Sequence, residues 1–251
     1  MDVFLEQQPD WAKQSLVSRI AVSHPLRSWT ADELLAEAEA LVAQGVRYVS
    51  VRRQQLQQID SARAQHILSD AGISVSSLGY SGGFTGSMGM TFEHAQDDTA
   101  RAVDMAIELS ARSLVVLPGC QDMHTYRHAE QSIRMGLQCA ISHAGQYQLQ
   151  LLVPTSSVMG TSRDNFRARG PFLEWLENST GKRVQPLIIV RGEDATCRLP
   201  GGWRKGLSGG GVLRLCQKCQ SYEWNSRVLN RLLRVLALKH SETGSFSISV
   251  E

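Results

Sequence analysis

The chain alternates short, mostly apolar runs with longer segments in which apolar residues recur every three or four positions. The clearest case is 97–119, DDTARAVDMAIELSARSLVVLPG, where Ala100, Val103 and Ile107 lie at helical spacing. The run 113–117 follows and stops at a Pro-Gly pair. Helical spacing followed by a short continuous apolar run predicts a helix and then a strand that is buried on both faces. The segment therefore predicts one helix–strand unit of a parallel sheet.

The same alternation continues along most of the chain. Strands are predicted over 16–22, 46–51, 73–78, 113–117, 149–153, 184–190, 212–216 and 245–250. The first helix is predicted to begin at a capping box of Thr30 and Glu33 and to end before Gly45. Further helices are predicted over 61–71, 91–111, 122–144, 165–177 and 226–239. Between strands six and seven, the Gly-rich segment 201–211 predicts a loop where a helix would otherwise stand.

This order of elements predicts an α/β protein of the (β/α)8 TIM-barrel class. The chain has 251 residues and 42% hydrophobic content, which suits one barrel domain over 1–251. No linker or low-complexity tract divides it. An open, doubly wound parallel sheet is the alternative architecture.

Two segments also resemble a known family. The sequence of 97–119 is similar to the segment that precedes and forms the fourth strand in the sugar phosphate isomerase/epimerase family, the xylose-isomerase-like TIM barrels. Upstream, Ser81-Gly-Gly-Phe-Thr-Gly is similar to the loop that follows the third strand in those proteins. The resemblance implies a metal-dependent barrel enzyme that moves protons on a sugar-like substrate. It also implies metal ligands: a Glu closing strand five, an Asp and a His around strand six, a His near strand seven and a Glu closing strand eight.

Most of those implied ligands are missing from this sequence. Strand five ends in Val-Pro-Thr-Ser, strand six runs into Arg191, and strand seven offers Arg214 and Lys218. Only Glu251 stands where the resemblance implies a ligand, which makes it the candidate base or ligand at strand eight. A hard divalent cation needs several oxygen donors, so one carboxylate does not make a site. The cofactor is therefore unknown, and we expect a divergent member with a degenerate metal site.

Positive residues stand where several of the predicted strands end. Active sites of such barrels lie at the carboxyl ends of the strands. There the chain carries Arg52, Arg53, Arg191 and Lys218, next to Gly-rich loops at 81–89 and 201–211. The planar guanidinium of arginine can donate two hydrogen bonds to a phosphate or carboxylate, and glycines let backbone N–H groups approach an anion. The pattern predicts a pocket for an anionic small molecule; the alternative is that these are solvated rim charges.

Other side chains near the predicted mouth carry weaker signals. His24 is a candidate general base, because imidazole exchanges protons near neutral pH; the alternative, which the lack of a spaced partner favours, is a loop histidine with no catalytic duty. Tyr80 is a candidate ligand contact, and Trp203 within the Gly-rich loop is a candidate lid. The pair Cys216 and Cys219, with Cys197 and His240, is a weak zinc or redox signal. His124 and His128 are interpreted as part of a solvated helix face.

Charge and composition argue against a nucleic-acid-binding, a membrane-associated and a secreted protein. The formal charge is +2 with scattered Lys and Arg, so no nucleic-acid interface is expected. No apolar run reaches about 18 residues, and the acidic N-terminus lacks the pattern of a secretory signal, so no membrane association is expected. Five cysteines form an odd set, which favours a reducing compartment and a cytoplasmic protein.

Two functions remain after these steps. The first is an isomerase or epimerase that acts on a sugar-derived, anionic small molecule, with Glu251 or His24 as the base and Arg52 and Arg191 holding the anion. The second is a catalytically silent barrel that binds a metabolite or a partner protein. A homo-oligomer is compatible with either function.

Overall fold

The computed structural model describes residues 20–121, 123–154, 175, 183–191, 212–216 and 246–250. Eight strands form a closed barrel in chain order, each parallel to its neighbours, with β8 paired to β1. The strands are β1 (Ile20–Pro25), β2 (Tyr48–Arg52), β3 (Ser74–Gly82), β4 (Ser113–Leu117), β5 (Gln150–Pro154), β6 (Val184–Arg191), β7 (Val212–Cys216) and β8 (Phe246–Val250). The predicted barrel is confirmed, and the open sheet is excluded.

Four α-helices are described on the outside of the first half of the barrel. They are α1 (Ala31–Ala43), α2 (Ser61–Asp70), α3 (Phe92–Glu108) and α4 (Tyr126–Ala144), and a 3₁₀ helix (Arg53–Gln57) follows β2. The residue before each α-helix caps it by accepting a backbone N–H: Thr30, Asp60, Thr91 and Thr125. The predicted capping box of Thr30 and Glu33 is present. Of the predicted helix 165–177 only Trp175 is described, and 201–211 and 226–239 lie outside the described residues.

The strands separate two apolar layers, because successive side chains point to opposite faces. The outer layer lies between sheet and helices and includes Val49, Leu114 and Leu151 of the sheet with Leu68 and Val103 of the helices. The inner layer fills the barrel with Val115, Leu152 and Leu187, against which Tyr80 packs. Neighbouring residues such as Leu114 and Val115 therefore belong to different layers.

The third strand is longer than the sequence pattern predicts. β3 ends at Gly82 rather than at residue 78, so Gly79 and Tyr80 lie inside the strand instead of after it. The pairing with β2 skips Ser76, and the pairing with β4 skips Tyr80. These two irregularities break the two-residue alternation from which a strand is predicted. β1 likewise continues to Pro25, which places His24 inside a strand.

No helix in the described part of the chain is long and apolar enough to cross a membrane. Cys120 and Cys139 are free thiols.

Candidate functional site

The carboxyl ends of the first five strands form one half of the barrel mouth. Their last residues are Pro25, Arg52, Gly82, Leu117 and Pro154, none of which is an acid. The Glu that the resemblance implies at the end of strand five is replaced by a proline with no side-chain donor atom. The last residues of these five strands therefore supply one guanidinium and no carboxylate.

Arg52 is the cation at this half of the mouth. It ends β2 and is exposed, whereas its neighbour Val51 packs in the outer layer. The alternation of the strand therefore puts Arg52 on the inner face. Its partner in β3 is Gly79, and a Cβ at Gly79 would lie 3.8 Å from the inner-layer residue Val115. No carboxylate among the described residues forms an ion pair with Arg52. Its guanidinium fork is thus available to an anion.

Arg53 does not join this site, which corrects the expectation that it converges on the mouth. Its guanidinium makes two hydrogen bonds to Asp98 of α3, of 2.7 and 2.8 Å. It also donates to the carbonyl of Tyr80 at 3.2 Å. The hydrogen bond from Arg53 holds the pKa of Asp98 below its usual value, although burial opposes this. Arg53 is therefore a structural clamp between β2, β3 and α3.

Tyr80 is brought to the inside of the barrel. It occupies the irregular position between Gly79 and Ser81, is half-buried and packs against the inner layer. Its carbonyl is held by Arg53, as described above. Arg52 and Tyr80 thus lie on the inner side of adjacent strands near their carboxyl ends. Of the predicted site residues, these are the two that the described structure brings to the same region.

His24 lies on the other side of the sheet. Its partner in β2 is Val49, which packs in the outer layer, so the pleat places the His24 side chain toward the helices. The preceding Ser23 takes the inner position, where its hydroxyl lies 2.6 Å from that of Ser76. A role of His24 as general base stays a prediction that this placement does not favour.

The remaining predicted site residues stand at or after the ends of β6, β7 and β8 in the sequence. Arg191 ends β6, and its backbone is paired with Cys216 of β7. Glu251, Lys218 and Trp203 lie outside the described residues, as do Cys197, Cys219 and His240. Their roles stay predictions.

Gln55 is a site-forming residue that sequence reasoning missed. It lies in the 3₁₀ helix and is 3% exposed. Its amide nitrogen donates to the carbonyls of Leu26 and Ser28, both at 2.9 Å. Its amide oxygen accepts the backbone N–H of Arg52, also at 2.9 Å. A run of polar residues, RRQQLQQ, gives no periodic signal that one of them is buried.

The loop after β3 is packed against the loop after β4. The backbone N–H groups of Gly83 and Phe84 donate to the carbonyls of Leu117 and Pro118, at 2.7 and 3.0 Å. His124 Nε2 lies 2.9 Å from the carbonyl of Thr85. His124 is half-buried and lies before the start of α4. Its interpretation as part of a solvated helix face is therefore corrected. These bonds give the mouth a fixed wall between β3 and β4.

The described residues do not fit a divalent metal. They contain no group of three His, Cys, Asp or Glu side chains that could hold a metal ion. Asp98, the carboxylate next to β3, is occupied by Arg53. We therefore derive no chemical step through a metal.

Solved structures show what this barrel is similar to. No protein-family model matches the sequence, and no curated protein matches it significantly. A D-allulose 3-epimerase from Methylomonas sp. is 14% identical with a TM-score of 0.69, covering 93% of this chain and 84% of that one. A D-psicose 3-epimerase from Clostridium cellulolyticum H10 is 10% identical with a TM-score of 0.67, over 92% and 84% of the two chains.

Proteins named for another activity are similar as well. An AP endonuclease of family 2 from Brucella melitensis is 12% identical with a TM-score of 0.63, covering 92% of both chains. At such identities the likeness establishes the fold alone, the TIM barrel that these proteins share with this chain. The resemblance inferred from two segments of sequence is thus confirmed at the level of the fold. Because sugar epimerases and an endonuclease share it, the function must be argued from the site.

Proposed function

We propose that the chain binds a sugar-derived small molecule with a phosphate or carboxylate group at the mouth of the barrel, and acts on it as an isomerase or epimerase. The observation that carries the proposal is Arg52, a cation on the inner face of β2 that no described carboxylate neutralises. The structural neighbours named as sugar epimerases support the sugar part of the proposal. One of them is described in complex with D-allulose.

In this proposal each group has a separate task. The guanidinium of Arg52 would bind two oxygens of the anion at once, which fixes the orientation of the ligand. The ring of Tyr80, backed by the inner apolar layer, would face the carbon skeleton. Holding the ligand in one orientation is what a proton transfer between neighbouring carbons needs.

The second half of the mouth would complete the site. In this proposal Arg191 and Lys218 add positive charge, Trp203 covers the ligand and Glu251 moves the proton. We assign Glu251 to the same mouth because it directly follows β8 in the sequence, and β8 is paired to β1. A carboxylate there would serve as the base more readily than His24, whose strand position faces the helices.

The second candidate function is a catalytically silent barrel that binds a metabolite or a partner protein. One observation favours it: the last residues of β1 to β5 include no carboxylate, so these five strand ends supply neither a carboxylate base nor an acidic metal ligand. In this case Arg52 would bind an anion and no proton would move.

Binding and proton transfer can be measured separately. We would titrate the protein with inorganic phosphate, a ketose phosphate and the free ketose by calorimetry. We would then follow deuterium uptake from D₂O into the sugar by NMR. Arg52→Ala is expected to weaken phosphate binding about tenfold or more. The matched control is Arg47→Ala, which removes an exposed arginine just before the opposite end of β2.

Each result has a definite meaning. Equal binding by the wild type and Arg52→Ala would overturn the anion site. Binding without deuterium uptake, with metal content measured on the same sample, would favour the silent barrel. Uptake that is lost in Glu251→Gln would support the isomerase.

A further inference from the structure

Gln55 joins two separate parts of the barrel mouth through one buried amide. Its nitrogen donates to the carbonyls of Leu26 and Ser28, in the loop after β1. Its oxygen accepts the backbone N–H of Arg52, at the end of β2. With 3% of the residue exposed, water does not replace these bonds easily. A displacement of Gln55 would therefore move the β1 loop and Arg52 together.

A second residue fixes the same loop from the helix side. The carboxylate of Glu37 in α1 accepts the backbone N–H groups of Arg27 and Ser28, the latter at 2.8 Å. It also accepts the hydroxyl of Ser28 at 2.6 Å. The loop after β1 is thus held on one side by α1 and on the other by Gln55. Gln55 is the link that carries this rigidity to Arg52.

Among the described residues, the backbone of Arg52 is held at two points and its side chain is not held by an ion pair. Its guanidinium is exposed and is not held by any described carboxylate. The two groups that hold its backbone are the strand partner Gly79 and the amide oxygen of Gln55. A long side chain that binds an anion loses less entropy when its backbone is already fixed.

We propose that Gln55 is a positioning residue for anion binding, which fixes the backbone of Arg52 relative to the loop after β1. The inference rests on the proposed anion site at Arg52 and adds the residue that sets its affinity. Gln55 does not touch the ligand in this proposal; it acts through Arg52.

Gln55→Met is the test variant, because methionine keeps the length and unbranched shape of the side chain while removing all three hydrogen bonds. The matched control is Gln54→Met, at an exposed position on the same turn. The affinity for inorganic phosphate is expected to fall about tenfold in Gln55→Met and to stay unchanged in Gln54→Met. Circular dichroism and thermal unfolding show that each variant is folded at the temperature of the titration.

A double-mutant cycle separates positioning from general damage to the fold. In the Arg52→Ala background, adding Gln55→Met is expected to weaken phosphate binding by less than about twofold, because the residue through which Gln55 acts is gone. An equal loss in both backgrounds would overturn the inference, since Gln55 would then act independently of Arg52.

Hydrogen exchange gives a readout that needs no ligand. The Arg52 amide is expected to exchange about tenfold faster in Gln55→Met than in Gln54→Met. Faster exchange with unchanged phosphate affinity would overturn the positioning role while leaving the proposed function intact. If wild type and Arg52→Ala bind phosphate equally, the anion site fails and the inference fails with it.

Discussion

Arg53 and Asp98 form a two-pronged ion pair that joins the end of β2 to α3. The guanidinium nitrogens lie 2.7 and 2.8 Å from the two carboxylate oxygens, and one of them also donates to the carbonyl of Tyr80 at 3.2 Å. Both side chains are about four-fifths buried, with exposures of 19% and 20%. The pair therefore holds the strand that carries Tyr80 at the mouth.

Breaking this pair should destabilise the protein. Asp98→Asn leaves a largely buried guanidinium without its charged partner, and the Nε of Arg53 already finds no hydrogen-bond partner among the residues that the structure describes. We expect the free energy of unfolding to fall by about 2 to 3 kcal/mol, measured by urea denaturation. Arg101→Ala is the control. It removes a contact of 3.7 Å to Asp98 from a side chain that is 68% exposed, and is expected to cost no more than about 0.5 kcal/mol. Equal losses in both variants would contradict the prediction.

The same pair predicts a contribution to stability that depends on pH. Hydrogen bonding from Arg53 lowers the pKa of Asp98 below its ordinary value of 3.8 in the folded state. A lowered folded-state pKa gives stability that is present above the unfolded-state pKa and is lost as the pH falls through the folded-state value. The difference in unfolding free energy between wild type and Asp98→Asn should thus be constant from pH 7 to about pH 5 and shrink below about pH 4. A difference that stays constant down to pH 3 would argue against the charged pair.

The sequence alone predicts the bounds of a strand or helix correctly where those bounds depend on a local pattern of residues. β4 and β7 have the predicted bounds, and the capping box of Thr30 and Glu33 is present, because these rest on apolar runs or on residues three positions apart. The predicted end of β3 at residue 78 was wrong, because Ser76 and Tyr80 interrupt the two-residue alternation of the strand. The residues at 79–83 are mostly glycine and polar, a composition that is typical of a loop.

The site was less predictable, because its decisive contacts join distant parts of the chain. Arg53 was expected at the mouth, but its partner Asp98 is 45 positions away and is placed there by α3. Gln55 likewise contacts carbonyls of the β1 loop, and backbone carbonyls leave no mark in a sequence. Arg52 could be placed correctly at the end of a strand because its prediction needed only the end of one apolar run.

The loops after β3 and β4 approach each other at Gly119. This residue has φ of +111°, and a Cβ there would overlap the hydroxyl of Thr85, whose residue is 4% exposed. Gly119→Ala should therefore lower the free energy of unfolding by about 3 kcal/mol, through backbone strain and crowding together. The control is Gly89→Ala, with φ of +74° and nothing near its Cβ, for which we expect about 1 kcal/mol from the backbone alone. Equal effects in thermal or urea unfolding would show that crowding at Thr85 is absent.

Gly136 gives the sharpest test of how the β3 loop is seated. It lies inside α4, where replacing glycine by alanine usually stabilises a helix by about 1 kcal/mol. Here a Cβ would overlap the ring of Phe84, which is 1% exposed between the β3 loop and α4. We therefore expect Gly136→Ala to destabilise the protein by about 2 kcal/mol, measured by urea denaturation. In a Phe84→Leu background the smaller side chain leaves room for the new methyl group, so the same substitution should be neutral or stabilising. A stabilising effect of Gly136→Ala in the wild-type background would mean that the Phe84 ring does not pack on α4, and the seating of the loop that forms the wall of the mouth would have to be revised.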